Sequence, residues 1–265
     1  MVSALMSCGR QPSSLLRQGQ LPINDFPLYQ TDGSGGFVYK YDLNRNRATM
    51  ASGLNNPTGV ATDRWGNVFV VEAGAGKLLK IKASTGAIST VATGLQAPSV
   101  VAVDSFGEAY VAQDTPHNVI RAVDGTVVAS FFTLPGAIVA GIRDTLIIGD
   151  TTGNKVYWGK TASSPSTTVT SPVNIAVDGM GRVYVAEGLS TNARVIRYHQ
   201  SQPGGSGTVV ANSLSGPQGI AVDAAANIFI VEKGNSRIVL VTQDGLIRSW
   251  VSGLTDPQYL AFTQY

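Results

Sequence analysis

Six prolines, Pro57, Pro98, Pro135, Pro172, Pro217 and Pro257, recur about forty residues apart, and each opens a copy of one pattern. A repeat of that length marks a chain built by stacking one supersecondary unit, and it matches a four-stranded propeller blade. Three positions after each proline stands a large aliphatic residue: Val60, Val101, Ile138, Ile175, Ile220 and Leu260. The next residue is smaller: Ala61, Ala102, Val139, Ala176, Ala221 and Ala261. Alternation with a period of two is a strand, and slim side chains suit the crowded innermost strands of a radial array.

Asp63, Asp104, Asp178 and Asp223 then open a turn, and Gly66, Gly107 and Gly181 follow where the backbone needs positive φ. The second strands read "NVFVVE", "EAYVAQ", "TLIIGD", "RVYVAE" and "NIFIVE". They are apolar at both parities, so each should be buried on both faces, as stacked blades require. Third strands such as "KLLKIK" and "RIVLVT" follow, then fourth strands such as "ISTVATGL" and "IRSWVSGL". Five units are complete. The sixth is divided: the C-terminus supplies a first strand, "PQYLAFTQY", and the N-terminal region supplies "FPLYQTD", "GFVYKYD" and "RATMASGL" as strands two to four. The expected fold is all-β, a six-bladed propeller over residues 25–265, with one blade closed jointly by both terminal segments. Residues 1–24 form a separate tail. Closure removes sheet edges that would otherwise pair with other chains.

The chain has 265 residues, 43% of them apolar, which is ample for a buried core. Charged residues make up only 14% and the formal net charge is +2, which gives no overall electrostatic footprint for nucleic acid or an anionic membrane, although a local basic patch is compatible with it. No apolar run approaches the roughly 18 residues of a membrane span.

These repeats resemble NHL repeats, whose look is "PxGIAVDxxGNIYVAE…NxRI". The segment "GPQGIAVDAAANIFIVEKGNSRIVLV", Gly216 to Val241, follows it nearly throughout, and the units at Pro57 and Pro172 are close. The unit at Pro135 departs most, with Gly141 where the aspartate belongs. The resemblance implies a six-bladed propeller. Functionally it implies little, because NHL-like propellers include enzymes, sensors and adhesive modules.

The single cysteine, Cys8, lies in "SALMSCGRQPSS", which resembles the end of a bacterial lipoprotein signal and would make Cys8 the lipidated residue. Only seven residues precede it, without a basic segment, so a tail bearing a free thiol is the competing reading. With the abundance of small polar residues, this points to a periplasmic, cell-surface or secreted protein.

Two sets of residues compete as the site. The second strands end on Asp32, Glu72, Gln113, Asp150, Glu187 and Glu232, a nearly unbroken acidic series around one opening of the channel. A feature repeated in nearly every blade reads as a fastening that accepts backbone N–H groups or meets an arginine or asparagine of "NSRI" and "NAR". A binding site instead needs unlike groups converging once. The residues just after each proline do differ. Thr58, Ser99, Asn174, Gln218, Gln258 and Tyr259 are the candidate lining of the channel mouth, for a protein or a small polar ligand. A wet mouth with no ligand is the alternative.

Catalysis finds few parts. Gluconolactonase-like propellers hold a divalent cation through Glu, Asn and Asp. Here the nearest match is "PVN", with Asn174 displaced by one residue, and calcium wants six to eight oxygens. A metal-dependent lactonase or esterase using calcium or another divalent cation is therefore the second reading, and the first needs no cofactor. Zinc lyases of peptide amidation also resemble NHL propellers but need several histidines. His117 and His199 are the only two here, and they are expected on opposite faces. No "GxSxG" elbow occurs, and "EAGAGK" joins two strands as a blade turn rather than cradling phosphate.

Overall fold

The computed structural model describes residues 27–188, 192–199 and 204–262. Cys8 and the rest of the segment preceding Pro27 lie outside the described residues, as do Gln202 and Pro203 between the third and fourth strands of the unit that starts at Pro172.

Among the described residues, twenty-four strands form six four-stranded antiparallel sheets. The closing blade holds β1 (Leu28–Asp32), β2 (Phe37–Tyr41) and β3 (Arg47–Ala51). The second blade holds β4 (Pro57–Thr62), β5 (Val68–Glu72), β6 (Lys77–Ile81) and β7 (Ile88–Ala92). The third blade comprises β8 (Pro98–Val103), β9 (Ala109–Gln113), β10 (Asn118–Arg121) and β11 (Val127–Ala129). In the fourth are β12 (Pro135–Ala140), β13 (Leu146–Asp150), β14 (Lys155–Trp158) and β15 (Ser166–Thr168). The fifth consists of β16 (Pro172–Val177), β17 (Arg182–Glu187), β18 (Ala193–His199) and β19 (Thr208–Leu214). The sixth has β20 (Pro217–Val222), β21 (Ile228–Glu232), β22 (Arg237–Val241) and β23 (Ile247–Ser252).

The last strand, β24 (Pro257–Phe262), returns to the closing blade and pairs antiparallel with β1, Leu28 facing Phe262 and Asp32 facing Pro257. The six prolines thus start the innermost strand of every blade. That end of the channel is called the entry face below, and the end where first strands turn into second strands is the opposite face.

The core lies between blades, as the double-sided apolar pattern requires. On β21, Phe229 packs with Leu28, Tyr41 and Trp250 toward the closing blade, while its neighbour Ile230 packs with Ala176 and Tyr184 toward the fifth blade. Phe229 and Trp250 meet edge to face at 5.1 Å. Near the axis the first strands approach so closely that two positions accept no side chain. A Cβ on Gly59 would lie 2.8 Å from Val100 Cα, and one on Gly219 would lie 2.7 Å from the Gln258 carbonyl oxygen. Both glycines stand two residues after a proline, where the other blades carry Val100, Ala137, Asn174 and Tyr259.

The turns at the opposite face are built around the repeated aspartates. Asp63 Oδ1 accepts the N–H groups of Trp65 and Asn67 at 3.0 and 2.8 Å, and Asp104 and Asp178 treat their own turns alike. The fourth blade, with Gly141 in place of aspartate, turns differently. Arg143 and Asp144 both have positive φ, and Asp144 reaches across to the third blade, accepting Ser105 N–H and Oγ–H at 2.7 and 2.9 Å.

Candidate functional site

The acidic series at the ends of the second strands is buried and engaged. Glu72 Oε1 accepts the Asn55 N–H at 2.8 Å, Glu187 Oε1 that of Thr170 at 2.9 Å, and Glu232 Oε1 that of Ser215 at 2.8 Å. Asp150 accepts the N–H groups of Thr133 and Leu134, both at 2.9 Å, and the side-chain Oε1 of Gln113 accepts Gln96 N–H at 2.6 Å. Each acceptor lies sixteen or seventeen residues beyond its donor, so each ties the segment entering a blade to that blade's second strand. The second carboxylate oxygens of Glu187 and Glu232 take the guanidinium groups of Arg194 and Arg237. Asp32, in the closing blade, accepts the Gly35 N–H within its own turn at 2.9 Å. These groups are spent on backbone and arginine donors.

The channel itself holds two cavities. At the entry face a cavity of about 240 Å³ is lined by Thr58, Ser99, Asp114, Leu134, Gly136, Thr151, Val173, Gln218, Gln258 and Tyr259. Five of the six residues singled out after the prolines meet there. Asn174 does not: it lies two residues after its proline instead of one, is buried, and its Oδ1 accepts the Ile220 N–H of the next blade at 3.3 Å. It lines the second cavity, of about 430 Å³, which opens at the opposite face between mainly aliphatic first strands. Tyr259 borders both cavities.

The mouth contains two residues that sequence reasoning passed over, Asp114 and Thr151. Each directly follows a second-strand end, a position that reads Gly33, Ala73, Asp114, Thr151, Gly188 and Lys233 around the ring. Disagreement among repeats was the available signal, in the same form that marked the post-proline residues.

Some mouth hydroxyls tie blades together. Thr31 Oγ1 donates to the Thr58 carbonyl, Thr58 Oγ1 to that of Ser99 at 2.9 Å, and Thr151 Oγ1 to that of Pro172 at 2.7 Å. Ser99 Oγ donates to Asp114 Oδ1 at 2.9 Å, and both residues line the cavity. Gln218 hydrogen-bonds the Tyr259 phenol. Burial pushes that phenol up to about 12, against the Gln218 bond, which lowers it, and with the Asp114 charge adding to the rise. Gln258 and Lys233 hold Asp256 at the rim, and together they keep its carboxyl below the ordinary range despite its partial burial.

His117 sits exposed between β9 and β10 on the entry side, and His199 ends β18 toward the opposite side. Neither lines a cavity. Among the described residues, no group of three or more His, Cys, Asp and Glu side chains is placed to hold a metal ion.

No protein-family model matches the chain. No curated protein matches it in sequence. Its fold, however, is similar to solved structures. A chain of the nidogen/laminin complex superposes with a TM-score of 0.76 at 13% identity, over 90% of this chain and 98% of that one. Virginiamycin B lyase from Staphylococcus aureus gives 0.64 at 16%, over 90% and 92%. A gluconolactonase from Xanthomonas campestris gives 0.67 at 11%, over 90% and 91%. At such identities the likeness bears on fold alone. Repeat pattern, strand order and superposition agree that the chain is a six-bladed β-propeller.

Proposed function

We propose that this propeller is a binding module, without catalytic activity of its own, that takes a small polar ligand, or a polar side chain of a protein partner, at the entry-face mouth. The observation that carries this reading is convergence. Unlike polar groups from five of the six blades meet once, in one cavity: the Asp114 carboxylate, the Gln218 and Gln258 amides, the Tyr259 phenol and the Thr58, Ser99 and Thr151 hydroxyls, with Val173 from the fifth blade. The set offers acceptors and donors around a single carboxylate, which suits a hydroxyl- or amine-bearing group. At about 240 Å³ the cavity is smaller than the roughly 300–1,000 Å³ of most drug-sized pockets, so it fits a compact polyol or one inserted side chain.

Proton-transfer chemistry has less support. One lyase among the structural neighbours is catalytically inactive as a histidine-to-alanine variant, whereas neither histidine of this chain lines its cavities. A lactonase reading with a divalent cation would need ligands beyond Asp114 and neutral amides.

The test is ligand-observed NMR with a panel of polyols, amino acids and small amines, comparing the native chain with a Gln218→Ala/Gln258→Ala variant. At least one compound should bind the native chain, and the variant should lose it. No binder, or binders indifferent to both substitutions, would remove the mouth from consideration. Elemental analysis of protein purified without chelators should show no stoichiometric divalent ion. A bound calcium ion, with hydrolysis of a lactone, would favour the enzyme instead.

A further inference from the structure

The exposed large apolar side chains are not spread evenly over the disk. Among the described residues, each of them falls on the opposite face or at the adjoining start of an outermost strand, and none on the entry face. Trp65, Phe106, Ile142 and Met180 occupy turns between first and second strands in four consecutive blades, with 55%, 74%, 45% and 72% of their surface exposed. Val123 and Leu246 occupy turns between third and fourth strands. The first four stand on successive turns around the larger cavity, which Ile142 borders, and the Trp65 ring lies close over Gly107 of the neighbouring turn.

Charge is sorted on the same turns. Four aspartates, Asp63, Asp104, Asp178 and Asp223, are buried at their bases, and each Oδ1 accepts a turn N–H. The exposed cations on these turns are Arg45, Arg64, Lys82, Arg143 and Lys160. Against them stand Asp42, Asp244, the half-buried Asp144, and Glu108 and Asp124, both of which are paired with Arg121. Arg64 lies over the Trp65 ring at 4.5 Å, and among the described residues neither Arg64 nor Arg143 has a carboxylate within ion-pair distance.

We propose that the opposite face docks on an anionic lipid bilayer, inserting the apolar turn tips among the headgroups while the arginines and lysines between them reach lipid phosphates. Exposed tips around one side of a disk suit a soft, planar partner that admits each tip separately. Aromatic residues with interspersed cations form the usual interfacial combination. The weak net charge of the chain is no obstacle, because an interface responds to the charges within a Debye length of it. The entry mouth would then face away from the membrane.

The chain supplies its own reporter. Trp158 and Trp250 are buried, so Trp65 is the tryptophan placed to meet lipid. The full chain should co-sediment with phosphatidylcholine vesicles containing phosphatidylglycerol. Affinity should fall at least about tenfold on vesicles of phosphatidylcholine alone, and similarly for Arg64→Glu/Arg143→Glu. Brominated acyl chains should quench Trp65, and Phe106→Ser/Met180→Ser, at exposed tips and with an unchanged melting temperature, should abolish both quenching and sedimentation. Absence of binding to the anionic vesicles, or binding without quenching, would overturn the proposal. So would self-association removed by Phe106→Ser/Met180→Ser, which would show that a second copy covers the face. None of these readouts depends on a ligand at the entry mouth.

Discussion

At the scale of single residues, the repeats separate scaffold from site. Glu72 on its own resembles a ligand; beside Glu187 and Glu232 it shares one repeated bond, since all three accept a backbone N–H seventeen residues earlier. Glycines divide the same way. Gly66, Gly107 and Gly181 take positive φ in their turns, and Ala226 does so with φ 62° in the sixth blade. A left-handed alanine costs about 1–2 kcal/mol, partly offset by the entropy a glycine would lose. Ala226→Gly should therefore raise the melting temperature by roughly 1–4 °C in a thermal scan, and a lower value would contradict the strain. Gly59 has ordinary φ but no room, so Gly59→Ala should cost about 1–3 kcal/mol in a denaturant titration, because the Val100 backbone cannot yield. The phenols of Tyr41, Tyr184 and Tyr259 are each raised to about 12, first by burial. The folded state holds these protons more tightly than the unfolded chain, whose phenols titrate near 10. Stability is therefore full below about pH 10 and declines as pH rises toward 12. A spectrophotometric titration should show fewer phenolates at pH 11 in folded than in denatured protein, and equal numbers would contradict the burial.

At the scale of elements, strands were the most legible part of the sequence. Two-sided apolar runs such as "NIFIVE" left no other packing than blade against blade, and Phe229 and Ile230 occupy the two interfaces that pattern demands. Phe229→Ala should cost about 3–5 kcal/mol in the same titration, since it empties a fully buried site and leaves Trp250 with only one of its two edge-to-face partners, Tyr41. The mouth was legible only by halves. The post-proline position named Thr58, Ser99, Gln218 and Gln258. One residue further on, the strand period sends Asn174 into the other cavity, whereas the length of Tyr259 lets it border both. Asp114 and Thr151 were missed because they sit on turns between second and third strands, and their nearness to the mouth follows from the curvature of the whole ring. The exposed turn tips went unread although their register was visible: Trp65, Phe106 and Met180 each stand eight residues after a blade proline and two after its turn aspartate, so the repeat puts them on one face.

At the scale of the molecule, closure by β24 against β1 joins residues more than two hundred positions apart and leaves the blades without an open ring edge. Ending the chain at Asp256 would remove the innermost strand of the closing blade, together with Gln258 and Tyr259. The account holds that the ring is secured by what the repeats share and used where they differ. Melting temperatures of Glu232→Ala and Gln218→Ala test that division most directly. Glu232→Ala frees the Ser215 N–H and strands Arg237, a loss of about 2–3 kcal/mol, and should lower the melting temperature by roughly 4–12 °C. Gln218→Ala should lower it by no more than about 4 °C, the loss of one hydrogen bond. Equal falls, or a larger fall for Gln218→Ala, would contradict the account.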